Sequence, residues 1–218
     1  MFRKIFICTL MLAALICAGC GEEKIAGTPD KAILAYAELL TTGDTPNLEA
    51  AGFSEDDKTN LRDKMAKSFM NSLDEIAPLS EQSAAELANK FHENFKSKMK
   101  FHATLKKNDG DRPIVEFTTT PINIAGATKT LVDNDELIAL VGMVGQLKSD
   151  GATDEQLKNN ADVQKLAVSA FGKYIDAIPV GEEKTFDIPC DKITNAAGKI
   201  HWAPADMETF MKFIMGEK

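Results

Sequence analysis

The sequence KMKFHATLKKNDGDRPIVEFTTT, residues 98–120, has the pattern of a β-hairpin. Its first part alternates apolar and polar residues with period two, as expected for a strand with one buried and one solvated face. The central NDGD, residues 108–111, is a turn signal, and the IVEFTTT that follows is rich in β-branched residues. The stretch therefore predicts two antiparallel strands, near residues 98–107 and 113–120.

Two further period-two runs lie near the C-terminus, at residues 184–191 and 199–203. The turn signal NAAG, residues 195–198, separates them. With the hairpin they predict one antiparallel sheet of about four strands. Because segments of helical periodicity surround these strands, the sequence predicts an α+β fold.

The other segments carry apolar residues three and four positions apart, which is typical of amphipathic helices. Capping residues precede most of them. The predicted helices are residues 29–42, one from Ser54 to near Pro78 with a stripe that includes Ile76, one from Ser80, one from Asn134 with an inward stripe of Leu137, Leu140, Val141 and Val144, a long one from Thr153 to Ile178, and one from Pro204. Gly142 and Gly145 inside the fourth helix indicate close approach of another backbone, or a bend or stop.

The first twenty residues have the features of an export signal. Arg3 and Lys4 precede an apolar run of 14 residues, 5–18, which is shorter than the ~20 residues of a membrane-spanning helix. Residues 17–20, CAGC, resemble the lipobox of bacterial lipoproteins, with Cys17 where leucine is usual. The resemblance implies cleavage between Gly19 and Cys20, and attachment of acyl chains such as palmitate to Cys20. An ordinary secretory signal with a chance cysteine is the alternative.

This interpretation predicts a signal peptide over residues 1–19, a lipid anchor and short tether over 20–28, and a single α+β domain over 29–218. The protein is then membrane-anchored and extracytoplasmic. Cleavage removes two positive charges, so the mature chain has a net charge near −10, against −8 for the whole chain, which disfavours nucleic acid as a partner. Cys190 is the one cysteine left beside Cys20, so no internal disulfide is expected between unmodified thiols.

Catalytic, metal and cofactor motifs are not recognisable in the chain. The three histidines, His92, His102 and His201, lie on separate predicted elements without metal-site spacing, and no cofactor is predicted. Cys190 and His201 flank a predicted turn, so their proximity would be unsurprising without catalysis. A cavity lined by Tyr36, Tyr174 and a buried carboxylate would permit proton-transfer chemistry, which keeps an enzyme as an alternative.

Four stretches carry a resemblance to a known domain class. They are TPDKAILAYAELLTTGD from Thr28, the hairpin FHATLKKNDGDRPIVEFTTTP, and the strands EEKTFDIPC and AGKIHWAP. In this order they resemble the cystatin-like or nuclear-transport-factor-2-like α+β domains of uncharacterised bacterial lipoproteins, with helical insertions. The resemblance implies helices around a curved sheet, often with a cone-shaped cavity, and hence a binding module.

The sequence therefore predicts a non-catalytic module that binds a small apolar ligand or an envelope protein. An enzyme that uses the cavity and a purely structural envelope protein are the alternatives, and the oligomeric state is left open. The predicted last helix offers the candidate interaction face, which consists of Met207, Phe210, Met211 and Ile214.

Overall fold

The computed structural model describes residues 25–73, 76–127, 134–195 and 198–216. Within these ranges the chain alternates helices and strands, and two 3₁₀ turns lie at Leu48–Ala51 and Ile124–Ala127. The elements are α1 (Pro29–Thr42), α2 (Glu55–Leu73), α3 (Glu81–Lys98), β1 (Phe101–Lys107), β2 (Ile114–Thr119), α4 (Asp135–Ser149), α5 (Asp154–Lys158), α6 (Ala161–Ala177), β3 (Lys184–Thr194), β4 (Ile200–Pro204) and α7 (Met207–Ile214).

The described residues divide into two compact units. The helical unit consists of the described parts of Asn60–Asn94 and Ile124–Ile178. The sheet unit consists of residues 25–59, Phe95–Asn123 and the described part of Pro179–Lys218. The single domain over residues 29–218 stays a prediction.

The sheet unit contains a four-stranded antiparallel sheet with the strand order β1-β2-β3-β4. The predicted α+β fold with an antiparallel sheet is thus confirmed. Phe117 of β2 lies opposite both Ala103 of β1 and Phe186 of β3, so these three side chains share one face of the sheet. Strand β3 continues three residues beyond the predicted end because its last part, Cys190–Thr194, pairs with β4.

Aromatic side chains of the sheet contact those of the last helix. The Phe117 ring lies 5.4 Å from that of Phe210, and the Phe186 ring stacks on Phe213 at 4.0 Å. Helix α1 also packs on the strands and buries Ala32 and Ile33 completely. Burial of each large apolar side chain contributes about 1.5–3 kcal/mol, so this layer is the main source of stability in the sheet unit.

Helix starts follow the predicted capping residues closely. Ser54 and Asp57 exchange side-chain and backbone hydrogen bonds of 2.8 and 3.2 Å at the start of α2. Thr28 occupies the N-cap position of α1, where its hydroxyl makes no capping hydrogen bond. Helix α2 ends at Leu73, and Ile76 lies in a turn in which its N–H donates to the Leu73 carbonyl, so the predicted stripe runs one turn too far.

The predicted long helix from Thr153 to Ile178 is wrong, because the chain forms two helices there. The capping box of Thr153 and Gln156 is present, but the helix that it starts ends at Lys158. Asn160 then begins α6 by accepting hydrogen bonds from the N–H groups of Asp162 and Val163, both at 3.1 Å. An asparagine that caps a helix adopts extended backbone angles, which interrupts the helical hydrogen bonds.

The last helix begins later than predicted. Pro204 ends β4 opposite Cys190, and Asp206 is the N-cap, accepting a 3.0 Å hydrogen bond from the Thr209 N–H. Helix α7 therefore begins at Met207. A proline is accepted at the end of an edge strand because it has no N–H to pair.

Helix α4 differs from the prediction in the face that it buries. Leu140 and Val144 are 0% and 5% exposed, as predicted, but Val141 is 53% exposed. Outside the helix's own backbone, no heavy atom of the described residues would lie within 4 Å of a Cβ atom added at Gly142 or Gly145, and the helix continues through both glycines to Ser149. The expected close approach of another backbone at these glycines is wrong.

Candidate functional site

A buried polar pair in the sheet unit joins Tyr36 of α1 to His201 of β4. Tyr36 is 6% exposed, His201 is 2% exposed, and the tyrosine Oη lies 3.2 Å from the histidine Nε2. Helical spacing places Tyr36 on the same buried side of α1 as Ile33 and Leu40. The pair therefore links the first helix of the unit to its last strand.

Gly52 and Phe53 enclose the histidine ring. Gly52 has φ 70°, and a Cβ atom there would lie 2.3 Å from Nδ1 of His201. The Phe53 ring centroid lies 5.2 Å from that of Tyr36 and 6.4 Å from that of His201. Only glycine fits this close approach at this backbone angle. These four residues, Tyr36, Gly52, Phe53 and His201, are called the Tyr36–His201 cluster below.

Burial keeps both polar groups of the cluster neutral. It raises the pKa of the Tyr36 hydroxyl far above its ordinary value and lowers the pKa of the His201 imidazole. Nδ1 of His201 lies 3.4 Å from the Lys199 carbonyl. A neutral ring with its proton on Nδ1 donates to that carbonyl and accepts from Tyr36 through Nε2. Both groups are thereby satisfied, which suits a structural contact.

The N-terminal segment of the described chain lies on the outer edge of β4. Ala26 forms a parallel bridge with His201, and its N–H donates to the Ile200 carbonyl at 2.8 Å. Gly27 has φ 69°, and a Cβ atom there would lie 2.6 Å from Cβ of Ala50. Residues 25–28, called the N-terminal edge segment below, are thus fixed on the strand. Residues 20–24 of the predicted tether lie outside the described residues.

Glu38 is a half-buried carboxylate on α1. Burial raises its pKa, although a hydrogen bond from the Thr45 hydroxyl acts in the opposite direction. Nearby, Lys58 Nζ lies 2.6 Å from Asp44, and this hydrogen bond lowers the pKa of Asp44. Glu38 follows Tyr36 by two residues, so the two side chains point to different sides of the helix.

The Cys190 and His201 pair is not brought together. Cys190 lies opposite Pro204, whereas His201 lies opposite Ile193, three residues farther along β3 and so about 10 Å away. Burial raises the pKa of the Cys190 thiol to about 12, and its Sγ lies 3.6 Å from the Ile188 carbonyl. This is the environment of an inert core thiol.

Tyr174 and the other histidines are divided between the two compact units. Tyr174 and His92 belong to the helical unit, whereas Tyr36, His102 and His201 belong to the sheet unit. Burial raises the pKa of Tyr174. Among the residues that the structure describes, no group of three or more histidine, cysteine, aspartate or glutamate side chains could hold a metal ion.

The predicted processing site, Gly19 and Cys20, lies outside the described residues. The candidate interaction face of α7 is described. Phe210 and Ile214 have no exposed surface and belong to the core of the sheet unit, whereas Met207 and Met211 are partly exposed. Two of the four residues are therefore unavailable to a partner in this conformation, and the use of the others stays a prediction.

A surface that the sequence did not predict lies on α4. Ile138 and Val141 are 62% and 53% exposed, and Gly142 and Gly145 are exposed beside them. Positions 138, 141, 142 and 145 have the spacing of one helix face. These four residues are called the α4 outer face below. The periodicity of the sequence does not reveal the α4 outer face, because apolar residues occur on both sides of this helix and the pattern does not tell which side is buried.

The chain is similar in fold to a protein of known structure. A crystal structure of a Bacillus subtilis protein assigned as a lipoprotein, ycdA, is similar with a TM-score of 0.55 and 15% identity. The match covers 87% of this chain and 55% of that chain, so this chain spans about half the length of the matched structure. At this identity the likeness concerns the fold. None of the curated proteins compared with the chain matches it.

The described residues contain no helix long and apolar enough to cross a membrane.

A family model described as a domain of unknown function, DUF5105, matches residues 22–188, which is most of the chain. The chain therefore belongs to the DUF5105 family.

Proposed function

We propose that the protein is a lipid-anchored lipoprotein on the extracytoplasmic side of a membrane, where it acts as a non-catalytic module that binds a protein partner. The lipobox resemblance of residues 17–20 supports the anchor, with signal peptide removal before Cys20 and acylation of that cysteine. The similarity in fold to a Bacillus subtilis protein assigned as a lipoprotein agrees with this proposal. Nucleic acid is not a proposed partner, because the chain is acidic.

The observation that carries the proposal is the N-terminal edge segment. Ala26 is held on β4, only six residues after Cys20. An extended chain spans at most ~3.5 Å per residue, so the sheet edge lies within about 20 Å of an acylated Cys20. The anchor therefore holds the β4 edge of the sheet unit close to the bilayer surface.

Binding is favoured over catalysis because the polar pair of the Tyr36–His201 cluster is enclosed and satisfied. A protein partner is favoured over a small apolar ligand because phenylalanine rings of the sheet pack directly against those of α7, with centroids 4.0 and 5.4 Å apart. The position of α1 against the strands supports a cystatin-like or nuclear-transport-factor-2-like plan for this unit. That plan is part of the proposal.

Fractionation of cells that express the full-length protein tests the anchor. The parent protein is expected in the membrane fraction, and Cys20→Ala is expected to be released from it, because the acyl chains provide the attachment. Cys17→Ala is the matched control: it changes the neighbouring cysteine and should stay with the membrane. If Cys20→Ala fractionates as the parent does, the anchor proposal is wrong.

Native mass spectrometry of the purified protein tests the kind of ligand. We expect no reproducible small-molecule adduct. A reproducible adduct of a few hundred daltons would instead favour the small apolar ligand. A partner held by charge should be basic and should dissociate at ~0.5 M salt, where the Debye length falls below about 5 Å.

A further inference from the structure

Helix α4 exposes large apolar side chains that a solvated helix normally covers. Ile138 and Val141 are among the three large hydrophobic residues with more than a third of their surface exposed in the described chain. They share one face with Gly142 and Gly145, where the part of the chain that the structure describes places no heavy atom within 4 Å of an added Cβ, the helix's own backbone apart. The opposite side, with Leu140 and Val144, packs inside the helical unit. The α4 outer face therefore has two protruding apolar side chains next to a shallow depression where the glycines have no side chains.

We propose that the α4 outer face binds the same face of a second copy of the chain, with the two helices antiparallel and Gly142 near the two-fold axis. A two-fold contact requires a self-complementary surface. Here the large side chains of one copy fit beside the glycines of the other, where the absence of Cβ atoms allows the helices to approach closely.

The charges at the two ends of α4 select this orientation. Asp135 is exposed in the first turn and Lys148 is exposed in the last turn. An antiparallel pair centred on Gly142 places Asp135 of each copy beside Lys148 and Ser149 of the other. A parallel pair would instead place Asp135 against Asp135. Antiparallel helices also bring opposite ends of the helix dipoles together.

The remaining charges near α4 are already engaged within one chain. Glu136 lies 2.6 Å from Lys173, and its other oxygen accepts a 2.6 Å hydrogen bond from Ser169. Asp150 accepts hydrogen bonds from Gln146 at 3.1 Å. Lys148 makes a 3.0 Å ion pair with Asp154, in which both side chains stay about half exposed, so it can also contact a second carboxylate. These groups form a polar rim around the apolar face.

Cysteine cross-linking of the full-length protein in its membrane tests the geometry. Gly142→Cys is expected to give a disulfide-linked dimer under mild oxidation, because the two copies of residue 142 lie near the axis. Ser149→Cys is the matched control: it lies seven residues along the same face, so its two copies are about 21 Å apart in the antiparallel pair. It should not cross-link to itself, whereas Asp135→Cys mixed with Ser149→Cys should give the dimer. Cys190 is buried, and the parent protein without an introduced cysteine measures any background from Cys8, Cys17 and Cys20.

Exchange of the charges at residues 135 and 148 provides a second test of the antiparallel orientation. Asp135→Lys or Lys148→Asp alone should lower the fraction of cross-linked Gly142→Cys dimer, with association weakened on the order of tenfold, because each change affects two symmetry-related pairs. The double exchange should restore the dimer. Equal cross-linking of Gly142→Cys and Ser149→Cys, no dimer of Gly142→Cys, or a product of another mass would each overturn the proposal. The comparison between Gly142→Cys and Ser149→Cys holds whether or not Cys20 is acylated, because both variants share that residue.

Discussion

Replacement of Gly52 by alanine should strongly destabilise the sheet unit. At φ 70° an alanine costs about 1–2 kcal/mol, because its Cβ clashes with its own backbone. The new Cβ would also lie 2.3 Å from Nδ1 of His201, so the buried ring must move. Forcing extra volume into a packed site costs about 1–3 kcal/mol, and loss of the Tyr36 hydrogen bond costs about 0.5–1.5 kcal/mol. We therefore expect a total of about 2.5–6.5 kcal/mol.

Gly110→Ala is the matched control. Gly110 has the same φ of 70°, but no heavy atom lies within 4 Å of its added Cβ. Both variants share the backbone cost and the small gain from restricting the unfolded chain. Their difference, about 1.5–4.5 kcal/mol, therefore isolates the contact with His201. With a urea m-value of about 2 kcal/mol/M, the midpoints should differ by about 1–2 M.

Urea unfolding followed by tryptophan fluorescence measures this difference. Trp202 is the single tryptophan of the chain, is 7% exposed and follows His201 in β4. Its emission therefore reports on the strand that the substitution disturbs. A chain that begins at Gly21 is suitable for the measurement. Equal midpoints for Gly52→Ala and Gly110→Ala would refute the close contact between Gly52 and the histidine ring.

Two further predictions concern the titratable groups of the sheet unit. Burial lowers the pKa of His201 in the folded protein, so the unfolded chain binds the proton first as the pH falls. The stability that the neutral histidine contributes is therefore complete above pH ~6.5, the pKa in the unfolded chain. It is lost as the pH falls from that value to the lower pKa of the folded protein. The urea midpoint should therefore fall more between pH 7.5 and 5 in the parent than in His201→Gln, and equal slopes would contradict this. Since burial raises the pKa of Cys190 to about 12, a thiol reagent at pH 8 should modify the protein only in urea, and rapid modification without urea would show an accessible thiolate.

The hairpin was predictable because its information is local. The alternation before Asn108, the NDGD turn and the β-branched run after Pro113 lie within one short stretch, and register follows from the alternation. The capping pairs of Ser54 with Asp57 and of Thr153 with Gln156 were predictable for the same reason, since their spacing is fixed by the first helical turn.

The remaining features depend on neighbours that are distant in sequence. Asn159 and Asn160 lie in a segment of helical periodicity. The pattern is therefore the same whether the helix is interrupted there or continues with two solvent-exposed asparagines. Val141 fits the inward stripe of α4 as well as Val144 does, and only the tertiary structure decides which is covered. Tyr36 and His201 are 165 residues apart, and neither has a neighbour in sequence that indicates the other.

That separation has a consequence for the order in which the sheet unit assembles. The sheet unit draws on three separate segments of the chain, and His201 of β4, which contacts both Tyr36 and the N-terminal edge segment, follows Tyr36 by 165 residues. The first helix cannot acquire its final neighbours until residues 200–204 have emerged, and contacts of such long range form slowly. A nascent chain that ends before residue 200 therefore carries Tyr36 and the N-terminal edge segment without the strand that pairs with them.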